Sequence, residues 1–530
     1  MTLPQGFESY FRRVWTEDSV DTLIRGLDED VPVSIRLNPA RMPSDAWPEG
    51  GESHVPWCPE GIYLAERPQF TADPLLHAGA YYVQEASSMF VAHVLRHLAP
   101  SQPPRGGESV PACSHEDMSA PPRGGWEGAF PQGAWEGAAL DLCAAPGGKS
   151  TILRSLLPPD SLLISNEPLR QRAQVLAENL SKWGAGNVIV TQAYARDIAR
   201  AARTCKTFPG FDLILADVPC SGEGMMRKEE EARRQWSPAF VAECAALQRS
   251  IIADIWPALR PGGYLIYSTC TFNPEEDEEN VEWIARELGA EVVDIPVEPA
   301  WGILGDLRKG YTHSPLSPLP SPPRGGEHTL GNPIGNGLPP SGGLGGGYLS
   351  GGTGGGFPCY HFIPGRVRGE GFFCALLRKS SHECEDAGTA DAFRPASLEE
   401  ASIRTEHFDS ATPSAVSHKQ RKTGKNKHQK AAPKSIAEHL ADELTTLPTT
   451  LLDSPGAPIV DLSLPDAIRY LQREALILPP DTPTGIVQVA YRGQRLGLMK
   501  NLGSRANNLY PKEWRIRSTF ISPKSIFDKE

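Results

Sequence analysis

The stretch ALDLCAAPGGKST, residues 139–151, decides the fold. Its first five residues form a short apolar strand, Pro146, Gly147 and Gly148 make a tight turn, and KSTILRSLL opens a helix. The same alternation continues downstream. SLLISNE (161–167) is the next strand, LRQRAQVLAENLSKWG an amphipathic helix stopping at Gly184, and NVIVTQ, FDLILADV and YLIYSTC further strands. A long helical run, SPAFVAECAALQRSIIADIWPAL, separates the last two, and EVVDIP and GFFCALLRK follow as strands. Apolar strands alternating with helices predict a doubly wound α/β sheet buried on both faces.

Around this unit the 530 residues are uneven in composition. Of 51 glycines and 50 prolines, 14 fall in residues 100–138 and 23 in 313–357, so the remainder has ordinary globular usage. The peptide PPRGG occurs at 103–107, 121–125 and 322–326, too short and irregular to be a solenoid unit. The two segments, bounded at 101–137 and 312–358, read as low-complexity inserts, either translated repetitive DNA or a proline-rich partner motif. With 40% apolar residues the rest can bury a core. No run reaches the roughly 18 apolar residues of a membrane span, and MTLPQGFESYFRRVW has no signal-peptide pattern, so a cytoplasmic protein is expected. Ten cysteines without a C-x-x-C pair make neither a disulfide framework nor a zinc ribbon; reduced thiols are expected.

The chain divides into an N-terminal region (1–75), the α/β domain (76–379), a polar, basic linker (380–435) and a small end domain (436–530). Net charge is −12, which disfavours a nucleic-acid partner until its distribution is read. Residues 419–434 carry seven Lys or Arg and no acid, and residues 485–530 carry nine basic against three acidic residues. The first cluster reads equally as a solvated run or an RNA contact. In the end domain Arg492, Arg495, Lys500, Arg505, Lys512, Arg515 and Arg517 are the stronger RNA-binding candidates.

Ligands of open α/β sheets bind at the carboxyl ends of the strands. That rule selects four segments. The turn after ALDLC lets backbone N–H groups approach a ligand, or is merely a tight connection; it is not the dinucleotide pattern G-x-G-x-x-G. Glu167 ends the next strand, where an acid can accept hydrogen bonds from both hydroxyls of a ribose. ADVPCSGEGMMRK (216–228) puts Asp217 at a strand end with Cys220 three residues on, and YSTCTFNPEEDEEN (267–280) puts Cys270 at another. Asn273 is the expected N-cap of the following helix and Pro274 its first residue. Glu275, Glu276 and Asp277 then fit the helix start rather than a metal site, and no metal is expected.

In that order, DLCAAPGGKST, ADVPCSGEGMMRK and YSTCTFNPEE resemble the signatures of the Sun-type RNA cytosine-5 methyltransferases, in particular the bacterial RsmF-like rRNA enzymes. SIRLNP (34–39), HAGAYYVQEASSMF (77–90), RVRGEGFFCALLRK (366–379) and GLMKNLGSRANNLYPKEWR (497–515) extend the likeness over nearly all of the chain outside the inserts and linker. The resemblance implies a Rossmann-like class I methyltransferase sheet, an N-terminal α+β region that recognises RNA, and a PUA-like RNA-binding end domain. It implies S-adenosylmethionine as methyl donor, held by Cys143, Ala144, Ala145, Pro146, Gly147, Gly148 and Lys149, by Glu167 and by Asp217. The family's acid after the third strand falls at Tyr194, with Asp197 three residues on.

The resemblance also assigns roles. Cys270 supplies the thiolate that adds to carbon 6 of cytosine and makes carbon 5 nucleophilic, Cys220 assists removal of the carbon 5 proton and product release, and Asp217 hydrogen-bonds the ring. RNA, as rRNA or a small-subunit ribosomal particle, is the implied partner, of a monomeric protein. A ribosome-assembly factor that keeps the fold with little turnover is the alternative. DNA cytosine methyltransferases lack the Thr-Cys motif, and a nicotinamide dehydrogenase would need the absent glycine fingerprint.

Overall fold

A computed structural model of the chain describes residues 2–98, 137–184, 186–309, 357–381, 434–447, 452, 454, 456–517 and 525–527. The three PPRGG peptides, both inserts save residues 137, 357 and 358, and the basic run 419–433 lie outside the described residues.

The N-terminal region holds helices Phe7–Val14 and Glu17–Asp28 and four antiparallel strands: β1 (Val33–Leu37), β2 (Gly51–Val55), β3 (Cys58–Leu64) and β4 (Tyr81–Val83), in the order β2-β3-β1-β4. This sheet runs past the expected boundary at 75, because β4 pairs with β1 through Leu37 and Tyr81.

The central sheet has nine strands: β5 (Ala138–Asp141), β6 (Leu162–Asn166), β7 (Val188–Gln192), β8 (Phe211–Asp217), β9 (Leu259–Thr269), β10 (Ala290–Val293), β11 (Tyr360–Phe362), β12 (Phe372–Lys379) and β13 (Thr445–Leu447). Their order is β10-β12-β9-β8-β5-β6-β7-β13, with β11 on β12. The five strands β5 to β9 are parallel; β10, β11, β12 and β13 are antiparallel additions. Side chains alternate between two buried faces, which is why these strands read as unbroken apolar runs. Ala139, Leu163, Leu213 and Leu215 pack on one side, and Leu140, Ile164, Ile214 and Ala216 on the other. This is the doubly wound sheet expected from the sequence. Its strand order reverses between β5 and β8, the point at which open α/β sheets carry their ligand crevice, outside the carboxyl ends of the strands.

The linker boundary differs from expectation. Residues 436–447 belong to the central sheet and not to the end domain. Helix Ile436–Glu443, opened by a capping box of Ser435 and Glu438, buries Leu440 against Ala199 and Ala202, and β13 pairs with β7 from Thr445–Gln192 to Leu447–Val190. The physical reason is the edge of β7: its exposed N–H and C=O groups need a partner, and a short strand arriving from the linker provides one.

The end domain follows with β14 (Ile459–Asp461), β15 (Gly485–Tyr491), β16 (Gln494–Asn501) and β17 (Ala506–Asn508), plus helix Leu464–Leu471. β15 and β16 form a hairpin whose two-residue turn, Arg492 and Gly493, has both φ angles positive, at 51° and 73°. The core of this domain is continuous with the N-terminal sheet: Ile35, Leu37 and Ile62 pack in one cluster with Tyr470, Val489 and Met499. The Gln494 side-chain amide also donates to the Arg41 carbonyl, 2.7 Å away.

Candidate active site

The glycine turn is held by its neighbours. Gly147 has φ 118°, a conformation that disfavours any side chain, and precedes helix Gly148–Leu156. The carbonyls of the turn face the protein: Asn179 Nδ2 donates to Pro146 O at 2.8 Å and Arg172 Nη2 to Ala145 O at 3.1 Å. Arg36, fully buried, donates to Gly148 O at 3.3 Å. With the carbonyls tied back, the N–H groups of the helix's first turn are left toward the crevice. Ala144 and Ala145 are buried, and burial pushes the thiol of Cys143 far up, so it stays protonated. Asp141, at the end of β5, is fully buried with Ser150 Oγ 2.6 Å from Oδ2 and no partner on Oδ1. Burial pushes this carboxyl up to about 7.

Glu167 sits where the sequence places it, just past β6 and buried, with Oε1 accepting from Leu169 N at 3.0 Å and Arg172 3.4 Å from Oε2. A carboxylate has about four lone-pair sites, so acceptor capacity is left for ribose hydroxyls. Tyr194, at the family's acid position, is 62% exposed and precedes helix Ala195–Thr204, while Asp197 pairs with Arg200 at 3.0 Å.

Across the crevice Asp217 ends β8 with both oxygens engaged: Ser268 Oγ donates to Oδ1 and Lys149 Nζ to Oδ2, each at 2.8 Å. Lys149 thus turns from the glycine turn toward the cysteine side, 5.1 Å over the Phe372 ring. Burial opposes its charge, but Asp217 and Cys270 outweigh that and hold its pKa above the usual lysine value. Cys220 and Cys270, fifty residues apart in sequence, meet with their sulfurs 3.0 Å apart. The hydrogen bond to Cys270 comes first, then burial and the negative charge of Cys270 and Glu276, in pushing the Cys220 thiol well above its ordinary range.

The acid run after Cys270 departs from expectation. Helix Glu278–Glu287 begins four residues later than the expected start at Pro274 and is preceded by Asp277; Asn273 instead accepts Glu276 N at 2.9 Å within the loop. Glu276 and Asp277 are completely buried. They face polar groups of the loops, because the backbone N–H groups there have no helical partners. Glu276 takes Ser221 N, Asn273 Nδ2 and Gln248 Nε2; Asp277 takes Thr269 Oγ1 at 2.6 Å. Glu223, Ser268 and Gln248 carry no sequence signal, since nothing in a one-dimensional pattern tells a buried polar side chain from a surface one. Behind them, Glu278, Cys359 and His361 bring potential metal-ligand atoms within 4.8 Å of one another, but Glu278 Oε1 and His361 Nε2 are already hydrogen-bonded to each other at 3.0 Å.

In the end domain Arg492, Lys500, Arg505, Lys512, Arg515 and Arg517 are exposed and Arg495 is half-buried. Arg492 Nη1 donates to Phe527 O at 2.7 Å. Among the described residues no helix is long and apolar enough to cross a membrane.

A reversed-order parallel sheet carrying a glycine turn after β5, an acid after β6 and Asp217 after β8 defines the class I methyltransferase fold. Three family profiles match the chain in order: the N-terminal domain of 16S rRNA methyltransferase RsmF over residues 3–86, 16S rRNA methyltransferase RsmB/F over 133–304, and the methyltransferase RsmF PUA domain over 457–516. The chain is similar to the RsmB/F methyltransferases and matches the three parts of RsmF in the same order. Curated relatives named ribosomal RNA small subunit methyltransferase F are 34% identical in Cronobacter sakazakii, over 53% of this chain and 53% of that one, and 34% in an Escherichia coli strain, over 48% and 45%. The chain spans about half the length of the curated relatives it matches. Among solved structures, a methyltransferase homologue from Pyrococcus horikoshii aligns with TM-score 0.47 and 21% identity, covering 70% of this chain and 93% of that one.

Proposed function

We propose that the protein transfers a methyl group from S-adenosylmethionine to carbon 5 of a cytosine in RNA, with small-subunit rRNA as substrate. The observation that carries this reading is the pair of thiols 3.0 Å apart beside the Asp217–Lys149 ion pair. Carbon 5 of cytosine is a poor nucleophile until a thiolate adds to carbon 6, so the reaction needs one sulfur as nucleophile and a second group to manage the carbon 5 proton. Cys220, with its sulfur 3.0 Å from that of Cys270, fits the second place, with Cys270 as the attacking sulfur. After methylation a base takes the carbon 5 proton, the electron pair of that C–H bond re-forms the 5,6 double bond, and the Cys270–carbon 6 bond breaks to return Cys270 as a thiolate; Cys220 assists this release. Asp217 accepts from the cytosine ring, and Lys149 holds that carboxylate in place.

The residues present fit the methyl donor. The turn from Cys143 to Lys149 offers helix N-terminal N–H groups, Glu167 keeps acceptor capacity for a ribose, and the buried Asp141 Oδ1 has no partner among the described residues. When bound, the cofactor supplies an electrophilic sulfonium methyl. Relatives carry small-subunit rRNA methyltransferase names, and the exposed cations of the end domain suit phosphate contacts. The target base must be extruded to reach the cysteines.

The test is transfer of labelled methyl to naked 16S rRNA and to assembled small subunits. Cys270→Ala abolishes transfer, and Cys220→Ala accumulates an RNA adduct that survives denaturant. An adduct in the Cys270 variant and none in the Cys220 variant would reverse the roles; RNA binding without transfer by the intact protein would favour a ribosome-assembly factor.

A further inference from the structure

The two cysteine loops are cross-stitched by a reciprocal pair of buried carboxylates. Glu223, on the Cys220 loop, accepts from Phe272 N at 2.6 Å and Asn273 N at 3.1 Å, both on the Cys270 loop. Its other oxygen accepts from Trp236 Nε1 at 2.8 Å and Asn273 Nδ2 at 3.0 Å. In the opposite direction Glu276, on the Cys270 loop, accepts from Ser221 N at 3.0 Å, the residue next to Cys220. Gln248 Nε2 at 2.6 Å and Asn273 Nδ2 at 2.8 Å complete its partners. Gly224 N donates to the Cys270 carbonyl at 2.9 Å, and a Cβ at Gly224 would meet that oxygen at 3.1 Å and Gly371 O at 3.0 Å. Glu223, Glu276, Asn273 and Gln248 are all fully buried.

Burying two carboxylates side by side is costly unless each is surrounded by donors. Here each oxygen meets donors, and the backbone donors always belong to the other loop. Apolar packing would hold two loops together at less cost, but it would not fix their register. Hydrogen bonds from specific N–H groups to fixed carboxyl oxygens do fix it. We infer that Glu223 and Glu276 are positioning residues that set the separation of the Cys220 and Cys270 sulfurs, and through it the step in which the cytosine adduct is released. The inference rests on the methyltransferase reading for the second clause only; the first concerns thiol geometry alone. The clamp also reaches the N-terminal helix. Trp236, which donates to Glu223, packs edge-on against Phe7 at 4.9 Å and Tyr10 at 5.7 Å.

The full-length protein and its Glu223→Gln and Glu276→Gln variants test this. An amide has nearly the carboxylate's shape but puts an NH₂ group against a donor, so a packing role survives the change and an acceptor role does not. Oxidation with glutathione disulfide, followed by mass spectrometry of the Cys220–Cys270 peptide pair, reads thiol placement without any turnover. The expected result is cross-linking slowed by about tenfold or more in both variants, because effective concentration falls when groups lose their alignment. Labelled-cofactor binding, which uses the glycine turn, stays within about twofold. With RNA, the variants accumulate denaturant-resistant adduct relative to methylated product.

Trp236→Phe, which removes one donor and keeps an aromatic ring, gives a smaller slowing and keeps the test open if a Gln variant does not fold. Cross-linking at the wild-type rate in folded Gln variants, or in Trp236→Phe should neither of them fold, overturns the inference. If the wild type methylates no RNA but the cross-linking differences hold, the methyltransferase reading fails and the clamp stands.

Discussion

Asp141 carries a carboxyl that burial pushes up to about 7, with one oxygen lacking a partner. A carboxyl raised in the folded state opposes folding once it must ionise, so its contribution is neutral at pH below the unfolded value near 4 and unfavourable as pH climbs toward 7. Asp141→Asn removes that ionisation. Melting temperatures of the cofactor-free protein therefore diverge with pH: the variant gains on the wild type from pH 5 to pH 8. A gap that is constant across that range rules out Asp141 as the titrating group. Residue by residue, Glu167, Asp217, Cys220 and Cys270 were legible because each ends a recognisable strand or follows a glycine-bearing loop. Glu223 and Gln248 were not. Their importance lies in what surrounds them, and a buried Gln in a helix has the same letter as an exposed one.

Elements set the angles at which those residues meet. The turn between β5 and its helix needs φ 118° at Gly147, which an alanine adopts at a cost of about 1–3 kcal/mol. Its added Cβ would also come within 3.3 Å of Leu176 and 3.5 Å of Asn179. Gly147→Ala is thus expected to lower both melting temperature and cofactor affinity, measured by thermal unfolding and equilibrium dialysis; unchanged affinity would reduce the turn to a connection. The strands themselves were readable because both faces of a parallel sheet are buried, leaving apolar runs bounded by turns. The start of the helix after Cys270 was not. Asn273-Pro274-Glu275 has the composition of a helix start, yet Asn273 spends its carbonyl on the loop, and the loop's own hydrogen bonds delay the helix to Glu278.

Across the whole molecule, one long-range contact and one exposed basic patch carry predictions. A protein ending at 435 loses β13 and exposes the edge of β7, whereas one ending at 447 keeps it. The first truncation should therefore melt lower and aggregate more readily than the second, by calorimetry and light scattering; equal behaviour would make β13 dispensable. Charge reversal at Lys512, Arg515 and Arg517 leaves the fold alone and should weaken RNA binding with a shallower dependence on salt, by filter binding at several salt concentrations. An unaltered slope moves the RNA footprint elsewhere.

The sequence by itself determined the order and type of the central strands, the glycine turn, the acid after β6 and the presence of two motif cysteines. All of these rest on local signals: periodicity, glycine's backbone freedom and the spacing of a few side chains along the chain. Only the tertiary structure decided that the two sulfurs lie 3.0 Å apart, that Lys149 turns to Asp217, and that residues 436–447 close the sheet. It also decided that the end domain shares a core with the N-terminal sheet. Those facts join residues tens to hundreds of positions apart. Their energy comes from burying apolar side chains and from pairing buried polar groups, in both cases with partners that no neighbouring stretch of sequence can specify.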